Sequence, residues 1–343
     1  MAVNYTGGKE NQTELEEITR ELYAESFTIR EGLIDIEEGH KSGADVYESS
    51  AEVAASAFST GKVTATGDID LNANKTSVTL SSYQFADTLD ENSLKGTRFE
   101  RSMARGAFNI VSSEFDQKVL IQVAPAIGET IENWIWDGAT AATKTAVAAE
   151  TAAATQGSIS AAAKTAVAAM STNYFDSIPA RILYNDSNAK ATAGAGLGDY
   201  KKVLSPATVT SASIAAEYAK IYGTAPSKVI NSRGEMPKIF APLGDKQLIK
   251  IANNAVGAAQ QVNFLVEGDK ISYNGIEIVF VPLNGFRILA FPSYLKLLTD
   301  LASDVNTLKI GEVSDGAMQR YIKNVQTMTT WVVGQKYITL YGG

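Results

Sequence analysis

Asp68, Asp70, Asn72 and Asn74 place four oxygen-bearing side chains at alternate positions, a spacing with which a loop can ladder carboxylates and amides around a calcium ion. The rest of such a loop is absent, because Ala73 stands where the tight-turn glycine belongs and Thr79 where the bidentate Glu belongs. Alternation along the wet face of a strand accounts for the same spacing. Gly194-Ala195-Gly196-Leu197-Gly198 is glycine-rich, but no apolar strand leads into it, and it has neither GxGxxG nor GK[ST] spacing. It reads as a flexible loop. No GxSxG elbow occurs. His40, between Gly39 and Lys41, has no partner pattern around it and reads as an exposed arm residue.

The densest basic group is Lys95, Arg98, Arg101 and Arg105, interleaved with Phe99 and Phe108. Charge plus stacking rings is what contact with a nucleic-acid strand requires. Glu100 inside the run points equally to ion pairs with a neighbouring subunit. A double-mutant cycle would separate the two, since an inter-subunit pair couples to one particular carboxylate. The chain has no cysteine, which removes disulfides, thiolate metal sites and a cysteine nucleophile, and one histidine cannot build a His-rich zinc cluster. The carboxylates show no pairing that marks an acid–base couple. Nothing here supports catalysis, and neither a cofactor nor a metal is expected.

The net charge is −8, and residues 1–50, with twelve acids and four bases, carry all of it. Residues 201–250 lean the other way, with eight Lys/Arg against three Asp/Glu. A nucleic-acid binder normally carries a basic excess to displace counterions, and this chain carries none overall. The acidic start reads as a solvated arm, able to dock on a basic surface of another subunit such as residues 201–250 could supply. No apolar run approaches the ~20 residues of a membrane helix, and the N-terminus lacks a signal pattern, so a soluble intracellular product is expected. A length of 343 residues with 45% apolar content suggests two or three packed units.

These groups need elements to position them. Thr13-Glu14-Leu15-Glu16 has capping-box spacing, and Leu15, Ile18 and Leu22 follow at helical intervals, a thin apolar stripe that must lie on something. Gly32, Gly39 and Gly43 then suggest an extended arm. Lys62–Thr66 and Thr76–Leu80 alternate in polarity, with turn character at 72–75, and predict a polar two-stranded hairpin that needs a neighbour to hold it. Phe115, Val119, Leu120, Val123, Ile127, Ile131, Trp134 and Ile135 predict a long helix over about 113–137, kinked near Pro125 and Gly128 and ended by Gly138. Residues 139–170 are nearly all Ala and Thr, and Lys144–Ala149 returns as Lys164–Ala169, which predicts an insertion of two short helices around a turn. Beyond it, Ser211 or Ser213 caps a helix through Ile214, Tyr218 and Ile221. A strand at 228–231, helices near 234–240 and 244–257, strands at 276–281 and 287–291, and extended chain over 321–341 complete an α+β pattern.

The order of these parts resembles the major capsid proteins of tailed double-stranded-DNA bacteriophages, with the Hong Kong 97-type fold. Thr76–Asn92, with Val78, Leu80, Tyr83 and Leu89, is similar to the return strand of that family's E-loop, and Phe115 to Gly138 to its spine helix. Ser213–Tyr222 followed by Lys228–Asn231, the Gly275-led strand 276–279, and Tyr321–Tyr341 resemble the passage into the A-domain, an A-domain strand and the closing strands. The Ala/Thr insertion departs from the family, and no helical scaffolding segment precedes the arm. The Met1 start further suggests that no prosegment was removed.

The resemblance implies an N-terminal arm (1–47), an E-loop (48–92), a P-domain (93–228 and 303–343) and an A-domain (229–302). It also implies a non-enzymatic protein that self-assembles through hexamers and pentamers into an icosahedral shell around packaged genomic DNA. Portal, scaffolding or decoration proteins are the implied partners, with weak non-specific DNA contact, no membrane, and a virion location after assembly in the host bacterial cytoplasm. Candidate subunit-interface residues are Leu15, Ile18 and Leu22 of the arm, Lys62 and Lys75 of the E-loop, and Lys95, Arg98, Arg101 and Arg105. Some members crosslink an E-loop lysine to a neighbour's asparagine, but no such partner can be named here for Lys62 or Lys75. The alternatives are an encapsulin-like nanocompartment shell, a surface adhesin or carbohydrate-binding protein, and a metal-dependent hydrolase using Asp68 and Asp70.

Overall fold

The computed structural model describes residues 26–53, 69–90, 113–150, 159–185, 201–203, 208–232, 234–255, 264–300, 309–312 and 319–342. A short helix α1 (Phe27–Arg30) and strand β1 (Asp35–Glu37) lead into β2 (Gly43–Val53), β3 (Ile69–Thr79) and β4 (Ser81–Asp90). Helix α2 (Ser113–Trp136) follows, then α3 (Ala141–Ala149), α4 (Ala161–Ala169) and α5 (Ile178–Asn185). Next come β5 (Lys201–Val203), α6 (Ile214–Thr224), α7 (Ser227–Ile230), β6 (Lys238–Pro242) and α8 (Leu243–Ala255). The remaining strands are β7 (Phe264–Glu267), β8 (Lys270–Tyr273), β9 (Ile276–Val281), β10 (Arg287–Ala290), β11 (Leu295–Thr299), β12 (Lys309–Glu312), β13 (Gln319–Val332) and β14 (Thr339–Tyr341).

The order β5-β14-β10-β6-β9-β8-β7 makes a seven-stranded mixed sheet. Alternate side chains of its central strands enter two different cores. Phe240, Val279, Val281, Ile288 and Leu340 join Ile127, Ile131, Ile135 and Trp136 of α2, with the Trp136 and Phe240 rings stacked at 5.0 Å. Ile239, Ala241, Ile278, Leu289 and Tyr341 join Ile214, Tyr218 and Ile221 of α6 and Ile249 of α8. A sheet covered on both faces has little choice of register, since a slip of one residue would exchange the two sets.

A second sheet runs β1-β11-β13-β12, with β4 also paired to β13. The chain reaches it from the β2–β3 ribbon by shifting its alternation. Val78 and Leu80 are buried at even positions, then Tyr83 at an odd one, so the inward face changes between Leu80 and Tyr83. The ribbon's base packs with Leu298 and Trp331 through Val46, Val78 and Leu80, while Tyr83 turns into the first core.

Several expectations are refined or corrected. The partner of β3 is 43–53 rather than 62–66, and residues 72–75 are strand rather than turn; Gly43 faces Thr79 and Val53 faces Ile69. The arm is extended at β1, as expected, but it packs on its own chain: Leu33 and Ile34 sit in the first core, and β1 lies parallel to β11. Residues 228–231 belong to a helical turn, because Ile230 and Asn231 donate back to the Pro226 and Ser227 carbonyls while Val229 is buried. Residues 238–242 are strand rather than helix, with Ile239, Phe240 and Ala241 all buried between the two cores. Ser213 stands at the N-cap of α6, as one of the two expected caps, but its hydroxyl makes no bond into the helix; it accepts from the Thr210 N–H while the Thr210 hydroxyl accepts from the Ser213 N–H.

The Ala/Thr stretch forms the two expected helices, but it is part of the core rather than an appendage. The twenty-residue repeat gives α3 and α4 the same burial pattern, with Thr143 and Val147 matched by Ala163 and Val167. Thr140 and Ser160 cap the two N-termini through the N–H groups of Thr143 and Ala163. Lys144 donates to the Met170 carbonyl beyond α4, and Lys164 to the Glu150 carbonyl beyond α3 at 2.5 Å. Each helix thus satisfies the other's open C-terminus, which makes them an antiparallel pair. Gly138, ahead of them, is needed for space: a Cβ there would come within 1.7 Å of the Asn173 amide nitrogen.

Candidate functional site

Among the described residues no group of three His, Cys, Asp or Glu side chains could hold a metal, and no helix is long and apolar enough to cross a membrane. The chemistry that remains is that of surfaces and of the buried polar joints that aim them.

The first joint fixes the arm. Glu132 on the inner side of α2 is 8% exposed. Its carboxylate accepts from Ser26 Oγ at 2.7 Å, from the Thr28 N–H at 3.0 Å and from Thr28 Oγ1 at 2.5 Å, and Trp136 Nε1 donates to Thr28 Oγ1 at 2.6 Å. A buried carboxylate is tolerable when donors surround it, and each such charge-assisted bond is stronger than a neutral one. Further along, Lys296 Nζ meets Asp35 at 3.3 Å and also Glu37 of β1. Burial opposes the lysine's charge, but the Glu37 and Asp35 contacts outweigh it and hold the ammonium above its ordinary pKa. The Gly39 and His40 N–H groups donate to Asp300 and Thr299. His40 is therefore held against the end of β11, with its ring 3.9 Å from Glu37, rather than freely exposed.

The second joint lies inside the seven-stranded sheet's outer core. Asp245, in the first turn of α8, takes Arg287 Nε at 2.6 Å and Nη2 at 2.7 Å, and accepts from the Tyr218 hydroxyl at 2.9 Å. Burial, reinforced by the Asp245 charge, pushes the Tyr218 hydroxyl well above the ordinary tyrosine range. Glu217 accepts from Tyr341, close to the C-terminal end of the described chain, at 2.8 Å, and from Lys220. A third joint ties α3 to β13: the Asp176 carboxylate accepts from the Thr140 N–H and from Thr143 Oγ1, both at 2.8 Å, and lies 3.3 Å from Arg181, while Thr330 Oγ1 of β13 donates to the Asp176 carbonyl. Burial also raises the Asp137 carboxyl above its usual range, with Lys144 pulling it back.

The open surfaces carry scattered apolar groups. Leu243 and Ile251 are exposed on α8, Leu265 on the edge strand β7, and Tyr174, Met236, Tyr321 and Val325 elsewhere. Tyr321, Lys323 and Val325 of β13 lie beside Thr88, Ala86 and Gln84 of β4, and a shallow groove of about 320 Å³ runs over this pair. Tyr174 stacks on Tyr83 at 5.7 Å, with Trp134 and Phe85 beside them. Tyr174 is the exposed ring of this otherwise buried or half-buried cluster, and exposed aromatics of this kind are usual anchors of protein–protein contacts.

Of the candidate interface residues, Leu15, Ile18, Leu22, Lys62, Lys95, Arg98, Arg101 and Arg105 lie outside the described residues, as do Asp68 and the loop at 194–198. Lys75 lies in β3 opposite Tyr47, and Asp70 opposite Glu52. The joints at Glu132 and Asp245 went unread. Their one local signal is charge inside apolar surroundings: Glu132 next to Ile131, and Arg287 heading the run Arg287-Ile288-Leu289-Ala290.

No family model matches the sequence, and no curated protein matches it. Solved structures do match in fold. A chain of the satellite phage P4 procapsid, in a structure that includes the size determination (Sid) protein, superposes with a TM-score of 0.53 at 10% identity, covering 100% of this chain and 92% of that one. A chain from the capsid of Myoviridae phage XM1 gives 0.50 at 12% identity, covering 92% and 91%. One from the capsid of an empty GTA particle gives 0.51 at 7% identity, covering 92% and 89%. The fold is thus the α+β Hong Kong 97-type capsid fold.

Proposed function

We infer that the chain is a structural capsid protein, many copies of which tile a closed shell around packaged phage DNA. The observation that carries this reading is the β2–β3 ribbon. Its two eleven-residue strands reach roughly 35 Å at the usual rise per residue. Among the side chains described, only those at its base, Val46 and Val78, enter a core. A two-stranded ribbon in which twelve of twenty-two residues are Asn, Ser, Thr, Ala or Asp is marginal in water by itself, and a neighbouring copy is the simplest support for it. The capsid fold found over nearly the whole chain supports the same reading.

On this reading residues 1–47 form the arm, 48–92 the E-loop, 93–228 and 303–343 the P-domain, and 229–302 the A-domain. Many modest contacts between hexamers and pentamers would sum to a stable shell, and closed symmetry would stop its growth. The chain would catalyse nothing. It would assemble in the host bacterial cytoplasm and would meet portal, scaffolding or decoration proteins there. With no basic excess, contact with the genome would be weak and non-specific. Expression followed by size-exclusion chromatography and electron microscopy tests this. Uniform shells, protecting DNA from nuclease in the phage context, are expected. Shells filled with one protein cargo would identify a nanocompartment instead, and a monomer at every concentration would refute the reading.

A further inference from the structure

Lys228 of α7 and Lys336 of the turn Gln335–Tyr337 converge on one aromatic ring. Each ammonium lies 5.3 Å from the centroid of Tyr337, and Lys228 also donates to its hydroxyl at 3.3 Å. Among the described residues neither lysine has a carboxylate within ion-pair distance, whereas Lys220, Lys238, Lys246 and Lys296 each have one. Glu235, the acid closest in sequence to Lys228 on its C-terminal side, is taken up by the Ser293 N–H and hydroxyl. The backbone of β5, which carries Lys201 and Lys202, runs in register beside Thr339 and Leu340 and extends the same edge. Two like charges held at one ring repel unless an anion joins them.

We propose that Lys228, Lys336 and Tyr337 form a docking site for the acidic N-terminal segment, residues 1–25, of a second copy of this chain; this rests on the shell reading above. The segment carries six Glu against one Lys and one Arg. The acidic segment complements the lysine pair in charge and is present on every copy of the chain, which favours it over nucleic acid. The next stretch of the same arm already shows the pairing, with Asp35 and Glu37 on Lys296. The arm's root packs in the first core through Leu33 and Ile34, while Val229 lies in the core on the other face of the seven-stranded sheet and Ile230 and Tyr337 pack against it, so a chain's own segment would have to pass round the sheet's edge to reach the site.

The absence of native cysteine makes the test clean. Full-length Lys336→Cys and Glu17→Cys proteins are mixed, assembled and treated with a short bismaleimide. An inter-chain product several-fold above that of a Lys250→Cys control is expected. The Lys228→Glu/Lys336→Glu variant should need about threefold more protein to assemble, the scale of one or two surface pairs, and Glu14→Lys/Glu16→Lys/Glu17→Lys in the same chain should restore the wild-type requirement. Normal shells without the inter-chain product, or a product formed only within a doubly substituted chain, overturn this proposal alone. So does a charge reversal that strips nucleic acid from the particles and leaves assembly unchanged. A wild-type chain that never assembles overturns it together with the shell reading.

Discussion

The seven-stranded sheet and the β2–β3 ribbon are both β structure, yet they are stabilised by different partners. In the sheet, Phe240 and Ile239 point into two separate cores, helices cover both faces, and the Asp245–Arg287 pair is closed off from water. Every element it needs is on the same chain. The ribbon has matched backbone pairs from Gly43–Thr79 to Val53–Ile69, but its sequence supplies small polar side chains, and its described apolar contacts end at Val46 and Val78. Hydrogen bonds alone add little net stability, because water offers the same bonds to the open chain. On the shell reading the difference is one of purpose: the sheet finds its packing within one chain, and the ribbon would be completed by assembly.

Substitutions should sort along this line, and the largest stability effect belongs to the sheet. Arg287→Ala strands Asp245 in the core and should cost about 3–5 kcal/mol, read as a lower denaturant midpoint for the unassembled chain. Substitutions on the ribbon's polar positions should leave that midpoint unchanged; if they lower it comparably, the contrast fails.

Glu132→Gln sharpens the comparison at the root of the arm. It weakens three contacts to Ser26 and Thr28 and should cost about 1–3 kcal/mol, with faster proteolysis near residue 26. A variant whose arm remains as protected as the wild type would remove Glu132 from that role.

A smaller effect follows from Tyr218. Its folded pKa lies above the ordinary value of 10.0, so in the window above pH 10 the folded state keeps a proton that the unfolded state has lost. Stability from this group is complete below that pH and falls as pH rises through the window. Tyr218→Phe should flatten this alkaline decline; an unchanged slope would assign it elsewhere.

Much of this fold was legible because it rests on local spacing. The apolar steps from Ile127 to Ile135 mark the second half of α2, and Asn274-Gly275, both with positive φ, sets the turn before β9. The duplicated Lys-Thr-Ala-Val-Ala-Ala motif foretold two like helices. What escaped depends on distance. Nothing near Glu132 indicates that its partners lie more than a hundred residues earlier. Likewise, the choice of 43–53 over 62–66 as the ribbon's first strand is made by where Val46 and Val78 meet Leu298 and Trp331. Residues 228–231 and 238–242 exchanged helix and strand because four- or five-residue apolar runs have no period of their own, and packing decides them.

Sedimentation velocity on two proteins tests the central claim most directly: the full chain, and a chain in which residues 44–78 are replaced by a short turn. The full chain should sediment as large closed particles, and the shortened chain as a folded monomer whose thermal unfolding stays close to that of the unassembled wild type. A shortened chain that still forms the particles, or a full chain that stays monomeric at all concentrations, would contradict the claim that the ribbon is completed by neighbouring copies.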